Sequence, residues 1–268
     1  MKNINTGFLP EPIIINKDYV FGGYTKLTGV VLQPDGQWDA FLPAQELQFN
    51  DKFDTFSCVS FAFNNCIEIL TRRLFKEERE FSDRFLSKAS GTLPTGNSPQ
   101  KVAETLRLGG AVDEIDWPWF GITSWAEFMA EIPRFLFDKA KKWGYKVGHE
   151  YVPSNQELMK QALQFSPLSV SVAAWFQDEN GLFYKPTGQR DGHMTVIYGY
   201  VWGQHWKCFD TYNLANNWAL PDGNSVLKKI RWDTDFEAIK RFDLQKQEMV
   251  DIQLTVFETL KKYGLLAF

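Results

Sequence analysis

The feature that most restricts how this chain can fold is a change of hydrophobic period at Pro167. Ahead of it, apolar residues recur every three to four positions; behind it, Leu168-Ser169-Val170-Ser171-Val172 alternates strictly. The first period places side chains on one face of a helix, the second on one face of a strand. Further strand-like runs follow at Phe183-Tyr184, Met194–Val201 and Trp206–Thr211. Helices in the first half and strands in the second, without alternating βαβ units, predict an α+β protein of two packed lobes.

Within the helical half, Val59, Ala62, Phe63, Cys66, Ile67, Leu70 and Leu74 form one stripe. They predict a helix from Cys58 to about Phe75, with Asp54, Thr55 and Ser57 positioned to cap its start. A second helix is expected over Ser82–Lys88. A third, Pro99–Leu108, opens at Ser98 or Pro99 and closes at Gly109-Gly110. Trp117-Pro118-Trp119 reads as an extended crossing, and Pro133 must split the helical stretch Ser124–Gly144. Ser154 starts a helix over Asn155–Phe165, with Glu157 set for a capping box. Upstream, roughly the first 50 residues read as turns and short strands, with Val30-Val31-Leu32 a strand before the turn Pro34-Asp35-Gly36.

Composition removes several function classes. The chain carries 29 basic and 33 acidic side chains, a net charge of −4, and no run of Lys and Arg, which argues against a nucleic-acid partner. Aromatic residues make up 16%, more burial capacity than a disordered chain has. No apolar stretch approaches the ~18 residues needed to span a bilayer, and the N-terminus lacks the apolar core of a secretory signal. The expectation is no membrane partner and a cytoplasmic or virion-associated location. Three cysteines cannot all pair, so a disulfide-stapled scaffold is excluded. Neither a zinc-ligand spacing nor a phosphate-binding glycine loop is present, so no cofactor or metal is expected.

The chemistry must come from few residues. Cys58 and Cys66 lie eight positions apart on the expected helix, roughly 12 Å along its axis and beyond the ~7 Å reach of a disulfide. Cys66 falls on the apolar stripe and reads as a core thiol. Cys58 falls in the first turn, where unpaired N–H groups favour a thiolate, although a core role is open to it as well. Of three histidines, His149 reads as part of an exposed connection and His205 as part of a turn between strands. His193 opens a strongly apolar strand, where a polar ring needs a partner or a job.

The segment Ser57-Cys58-Val59-Ser60-Phe61-Ala62-Phe63 resembles the nucleophile helix of papain-like cysteine peptidases. Gly192-His193-Met194-Thr195-Val196-Ile197-Tyr198-Gly199-Tyr200 resembles that family's histidine strand. The 135 positions from residue 58 to residue 193 fall within the ~130–150 expected between its Cys and His. Trp206-Lys207-Cys208-Phe209-Asp210-Thr211-Tyr212 resembles the strand that carries the family's orienting Asn. Weaker echoes lie between, in Phe81–Leu86, Gly110–Trp119 and Ser166–Val172, so that the likeness runs in order from about Gln48 to Tyr212.

The resemblance implies a papain-like two-lobed fold over 48–245, flanked by an accessory arm (1–47) and a C-terminal helical extension (246–268). It implies Cys58 as nucleophile, His193 as base and Asp210 as orienter, with Asn213 the fallback. It implies a peptide or protein substrate, in a cleft walled by Gly91–Pro99, Trp117–Phe120 and Val170–Trp175. Trp117, Trp119 and Trp175 read more readily as core packing than as subsite walls. Three departures stand out: Asp210 replaces the usual Asn, Val59 the usual Trp, and Lys52 the oxyanion-hole Gln. Gln48 can supply that last role if residues 49–57 form an extra loop. The two ends are where a protein partner would bind, the apolar residues of Val250–Phe268 above all. Besides a peptidase, the sequence is compatible with a related transglutaminase or deamidase, or with a weakly active body built into an assembly such as a phage virion.

Overall fold

The computed structural model describes residues 7–12, 19–23, 27, 29–143, 145–213 and 226–246. Its centre is helix α1 (Cys58–Phe75), buried from Cys58 to Thr71. The predicted apolar stripe faces the sheet. The opposite face, with Ser60, Asn64, Glu68 and Thr71, is buried too, because further helices cover it. No side chain caps α1. Ser57 Oγ instead donates to the Thr55 carbonyl (2.9 Å), and Asp54 accepts the Phe56 N–H (2.8 Å). The expected caps thus shape the approach to the helix, and the Ser57 side chain makes no capping bond to its first turn.

Three elements follow from local signals. Helix α2 (Asp83–Ala89) is capped by Ser82, and α3 (Pro99–Gly109) by Ser98, with Gly110 ending it in a left-handed conformation (φ 75°). Pro133 separates α4 (Trp125–Phe128) from α5 (Arg134–Trp143). In α6 (Gln156–Leu163) the cap is Asn155, not Ser154; Asn155 accepts the Glu157 and Leu158 N–H groups, while Ser154 accepts the Phe236 N–H.

One eight-stranded sheet holds β1 (Lys146–Tyr151), β2 (Leu168–Val172), β3 (Phe176–Gln177), β4 (Phe183–Tyr184), β5 (His193–Val201), β6 (His205–Phe209), β7 (Leu227–Arg231) and β8 (Ile239–Gln245). Their order is β1-β8-β2-β5-β6-β7-β4-β3, antiparallel except for β4 beside β7. β2 and β5 sit centrally and are buried, which explains the nearly continuous apolar run of β5, while the serines of the alternating β2 lie buried on its second face. The architecture is α+β, with α1 laid across β5, β2 and β8.

Two expectations change. Val30-Val31-Leu32 is no strand: Val30 and Val31 are exposed, and Leu32 is held to the body by its N–H on the Gln164 carbonyl (2.8 Å) and by its carbonyl, which accepts from Arg73 Nη2 (2.8 Å). His149 is not in an exposed connection but lies buried in β1, between Glu104 (3.0 Å) and Lys240 (3.2 Å). Burial and the Lys240 charge push its imidazole down to about 4. His205 opens β6 directly after a turn. Beyond Lys246, the expected C-terminal extension lies outside the described residues.

Candidate active site

Three chain segments carry the sequence-predicted residues. Cys58 is the first residue of α1 and is fully buried. His193 is the first residue of β5, and Asp210 follows the last residue of β6. β5 and β6 are neighbours, so the register that pairs Val196 with Phe209 carries Asp210 to His193. The contact is direct: His193 Nε2 lies 2.6 Å from Asp210 Oδ1, with both side chains wholly buried. Asn213, the fallback, is not in that contact.

Tyr212 joins the parts. Its ring meets His193 edge-on at 5.2 Å and stacks on Phe49 at 5.0 Å. Its hydroxyl donates to Asp54. Burial, followed by the charges of Asp54, Cys58 and Asp210, drives the phenol well above its usual range, so Tyr212 is neutral. The Trp175 ring also meets the imidazole edge-on, at 5.7 Å.

Gln48 reaches the same place by the expected extra loop. Phe49 and Asp54 pair across a short hairpin, and Thr55 N–H bonds the Gln48 carbonyl (3.1 Å). Gln48 is fully buried; its Oε1 accepts from Thr211 Oγ1 (2.9 Å), and its Nε2 donates to Tyr212 Oη (3.1 Å) and Asp54 Oδ1 (3.3 Å). Lys52 sits out on the loop, ion-paired with the exposed Asp51 (3.0 Å). Asp54 is therefore neither a helix cap nor a bare charge beside the thiol, since the amide, the phenol and the Phe56 N–H all bond it.

The sequence reading missed Lys228. It lies on β7, fully buried in its side chain, and donates to Asp210 Oδ2 (2.8 Å) and to the Tyr212 carbonyl. Burial alone would raise the Asp210 carboxyl. The Lys228 and His193 charges outweigh that and bring it down to about 2. The signal was present as alternation: in Leu-Lys-Lys-Ile-Arg, Lys228 and Ile230 share the inner face and Lys229 the outer.

The other two thiols lie outside this arrangement. Cys66 is buried in α1, and burial together with Glu68 raises its thiol well above the usual range. Burial and the Asp210 charge likewise raise Cys208. Of the expected cleft walls, Trp117 packs under the Arg84 guanidinium (4.2 Å) and Trp119 against Phe61, both in the helical core. The Gly91–Pro99 segment carries part of the N-terminal arm: Asn97 N–H donates to the Gly7 carbonyl (2.8 Å) and Leu9 N–H to the Asn97 carbonyl (2.9 Å). Gly7 has to be glycine there, because a Cβ would stand 2.0 Å from the carbonyl oxygen of Phe56, two residues before Cys58.

No protein-family model and no curated protein sequence matches the chain. Solved structures do. Xylellain, a cysteine protease from Xylella fastidiosa, superposes with a TM-score of 0.62 at 17% identity, over 91% of this chain and 97% of its own. Digestive procathepsin L 3 of the Tenebrio molitor larval midgut superposes with a TM-score of 0.60 at 16% identity, over 90% of this chain and 77% of its own. The fold is papain-like. The expected two-lobed architecture is therefore the observed one, and neither likeness bears on a phage or virion setting. Among the described residues of this papain-like body, no helix is long and apolar enough to cross a membrane. Nor does any group of three or more His, Cys, Asp and Glu among them form a metal site.

Proposed function

We propose that this protein is a cysteine peptidase that cleaves peptide bonds through a thioester, with Cys58 as nucleophile, His193 as acid and base, and Asp210 as orienter. The observation that carries the reading is the 2.6 Å contact of His193 Nε2 with Asp210 Oδ1 inside a fully buried strand start. It supports an orienting role for Nε2, and on this reading Nδ1 is the nitrogen that serves the thiol.

In the first step Cys58 Sγ, its proton taken by His193, attacks the scissile carbonyl carbon. The C–N bond then breaks, and the leaving amine takes the proton from the imidazolium. In the second, water gives a proton to His193 and its oxygen attacks the thioester. The C–S bond breaks, the acid departs, and the thiol is restored. The Cys58 backbone N–H, at a helix start without a side-chain cap, is one oxyanion donor. Gln48 Nε2 is the other; to serve, it exchanges one of its bonds to Tyr212 and Asp54 for the oxyanion. The substrate is a peptide or protein.

The test is hydrolysis of a peptide library by the full chain, with products and the acyl-enzyme followed by mass spectrometry. Cleavage with a transient adduct on Cys58, reduced by ~10³-fold or more in Cys58→Ala and in His193→Ala, supports the proposal. Transfer of the acyl group to an added amine with no net hydrolysis would redirect it to a transferase. The absence of any adduct and any cleavage would refute it.

A further inference from the structure

We propose that Lys228 is a positioning residue of this site: by pairing with Asp210 it gives His193 an orienter that accepts a hydrogen bond yet carries no net charge. The inference rests on the peptidase reading and extends it to the one place where the orienter departs from the resembled pattern, Asp for Asn.

Each carboxylate oxygen of Asp210 has its own partner, His193 Nε2 on Oδ1 and Lys228 Nζ on Oδ2 (2.8 Å). The placement is built into the sheet. Lys228 is paired with Cys208 in the β6–β7 register, and Asp210 N–H bonds the Val226 carbonyl (2.9 Å), so the two side chains meet from adjacent backbones. The Tyr212 carbonyl takes a further ammonium proton, and the Trp175 ring lies 5.1 Å from Nζ. A fully buried ammonium costs several kcal/mol unless it is matched in this way.

An unmatched carboxylate against an imidazole favours the imidazolium, because deprotonation would leave a net negative charge in a dry site. The ring would then hold the proton that the leaving amine needs. With Lys228 in place the Asp–Lys unit is neutral, as an amide would be, and the ring can both take and release its proton. The other titratable groups around the unit are Cys58 from α1, Asp54 and Tyr212 hydrogen-bonded to each other, and Cys208 on β6. Asp191, two residues before His193, is turned to Ser171 and Lys185. Among these, only Lys228 touches the second oxygen of Asp210 as a cation.

The experiment compares the full chain with Lys228→Met and with Asp210→Asn/Lys228→Met. It follows the His193 ring by NMR titration and kcat/KM for a peptide against pH. Lys228 Nζ stands one carboxylate beyond the ring, and removing a unit charge from a separation on the order of 6 Å at an effective dielectric of ~20 moves a titration by about two pH units. Lys228→Met is expected to shift the His193 midpoint and the alkaline limb upward by that order. The double variant, neutral again, is expected to return both to within about half a unit of the wild type. If Lys228→Met does not fold, the double variant still decides, since it buries no unmatched charge. A His193 midpoint in Lys228→Met that equals the wild type's overturns the inference, and so does a double variant displaced by more than about one unit. The NMR midpoint needs no turnover, so a failed peptidase reading, seen as a wild type that cleaves nothing, is distinguished from a failed role for Lys228.

Discussion

Two buried carboxylate networks flank α1, and they are held in opposite ways. At the start of the helix, Asp210 is matched by a lysine and a histidine and sits at about 2. On the polar face of the helix, Glu46, Glu68, Asp83 and Glu114 gather, and no lysine or arginine among the described residues bonds any of them. Glu68 accepts the Phe81 N–H (2.7 Å), Asp83 accepts from Asn64 Nδ2 (2.8 Å), and Glu46 and Glu114 accept from the ring and backbone N–H groups of Trp119. There burial, reinforced by the neighbouring acids, raises all four, Glu68 and Asp83 far and Glu114 to about 8. Burial acts on both networks alike. A counter-ion decides whether the result is a fixed negative charge or a set of neutral acids sharing hydrogen bonds.

The largest effect is expected from breaking the matched network. Lys228→Met leaves Asp210 buried beside histidine alone and is expected to cost about 3–5 kcal/mol in denaturant unfolding at pH 7. Part of that loss should return in the double variant with Asp210→Asn, whereas additive losses would mean that the two charges are independent.

Next comes pH, because the networks give stability curves of opposite slope. The acid cluster is raised above its unfolded values, so its contribution is complete below about 4 and fades as pH rises through about 8. Each titrating group can remove up to about 1.4 kcal/mol per pH unit across that window. Asp210 is depressed, so its contribution is present above its unfolded value of 3.8 and is lost as pH falls through about 2. Unfolding measured from pH 5 to 9 should show falling stability, and Glu114→Gln should flatten part of that fall. A slope that Glu114→Gln leaves unchanged would place the titrating groups elsewhere.

The smallest effect is expected from Asp83→Asn. An amide can donate to Glu46 as the protonated acid does, so the change at pH 5 should be within about 1 kcal/mol, with a gain in stability at pH 9. A loss at both pH values would show that Asp83 is ionised.

The sequence made the fold legible where local physics acts alone. The spacing of Val59 to Leu74 reports α1, Ser98-Pro99 the start of α3, and Pro133 the break before α5. Of the site, Cys58, His193, Asp210 and Gln48 were named from resemblance and position, and the structure brings His193 to Asp210 and Gln48 to the Tyr212–Asp54 pair. What escaped depended on distant partners. The partners of His149, Glu104 and Lys240, lie 45 and 91 residues away along the chain. Lys228 sits in a strand with three basic residues in five, which reads as solvated unless β7 is already known to lie beside β6. Val30-Val31-Leu32 has strand-like composition, but among the described residues no strand pairs with it.

The most direct test is the reactivity of the three thiols. Treatment of the full chain with a thiol-directed peptidase inactivator, with adducts mapped by mass spectrometry, should label Cys58 and leave Cys66 and Cys208, both raised by burial, unmodified. The label should disappear in His193→Ala. Equal labelling of Cys58 and Cys208, or labelling of Cys58 that His193→Ala does not change, would contradict the assignment of Cys58 and His193 as a reacting pair.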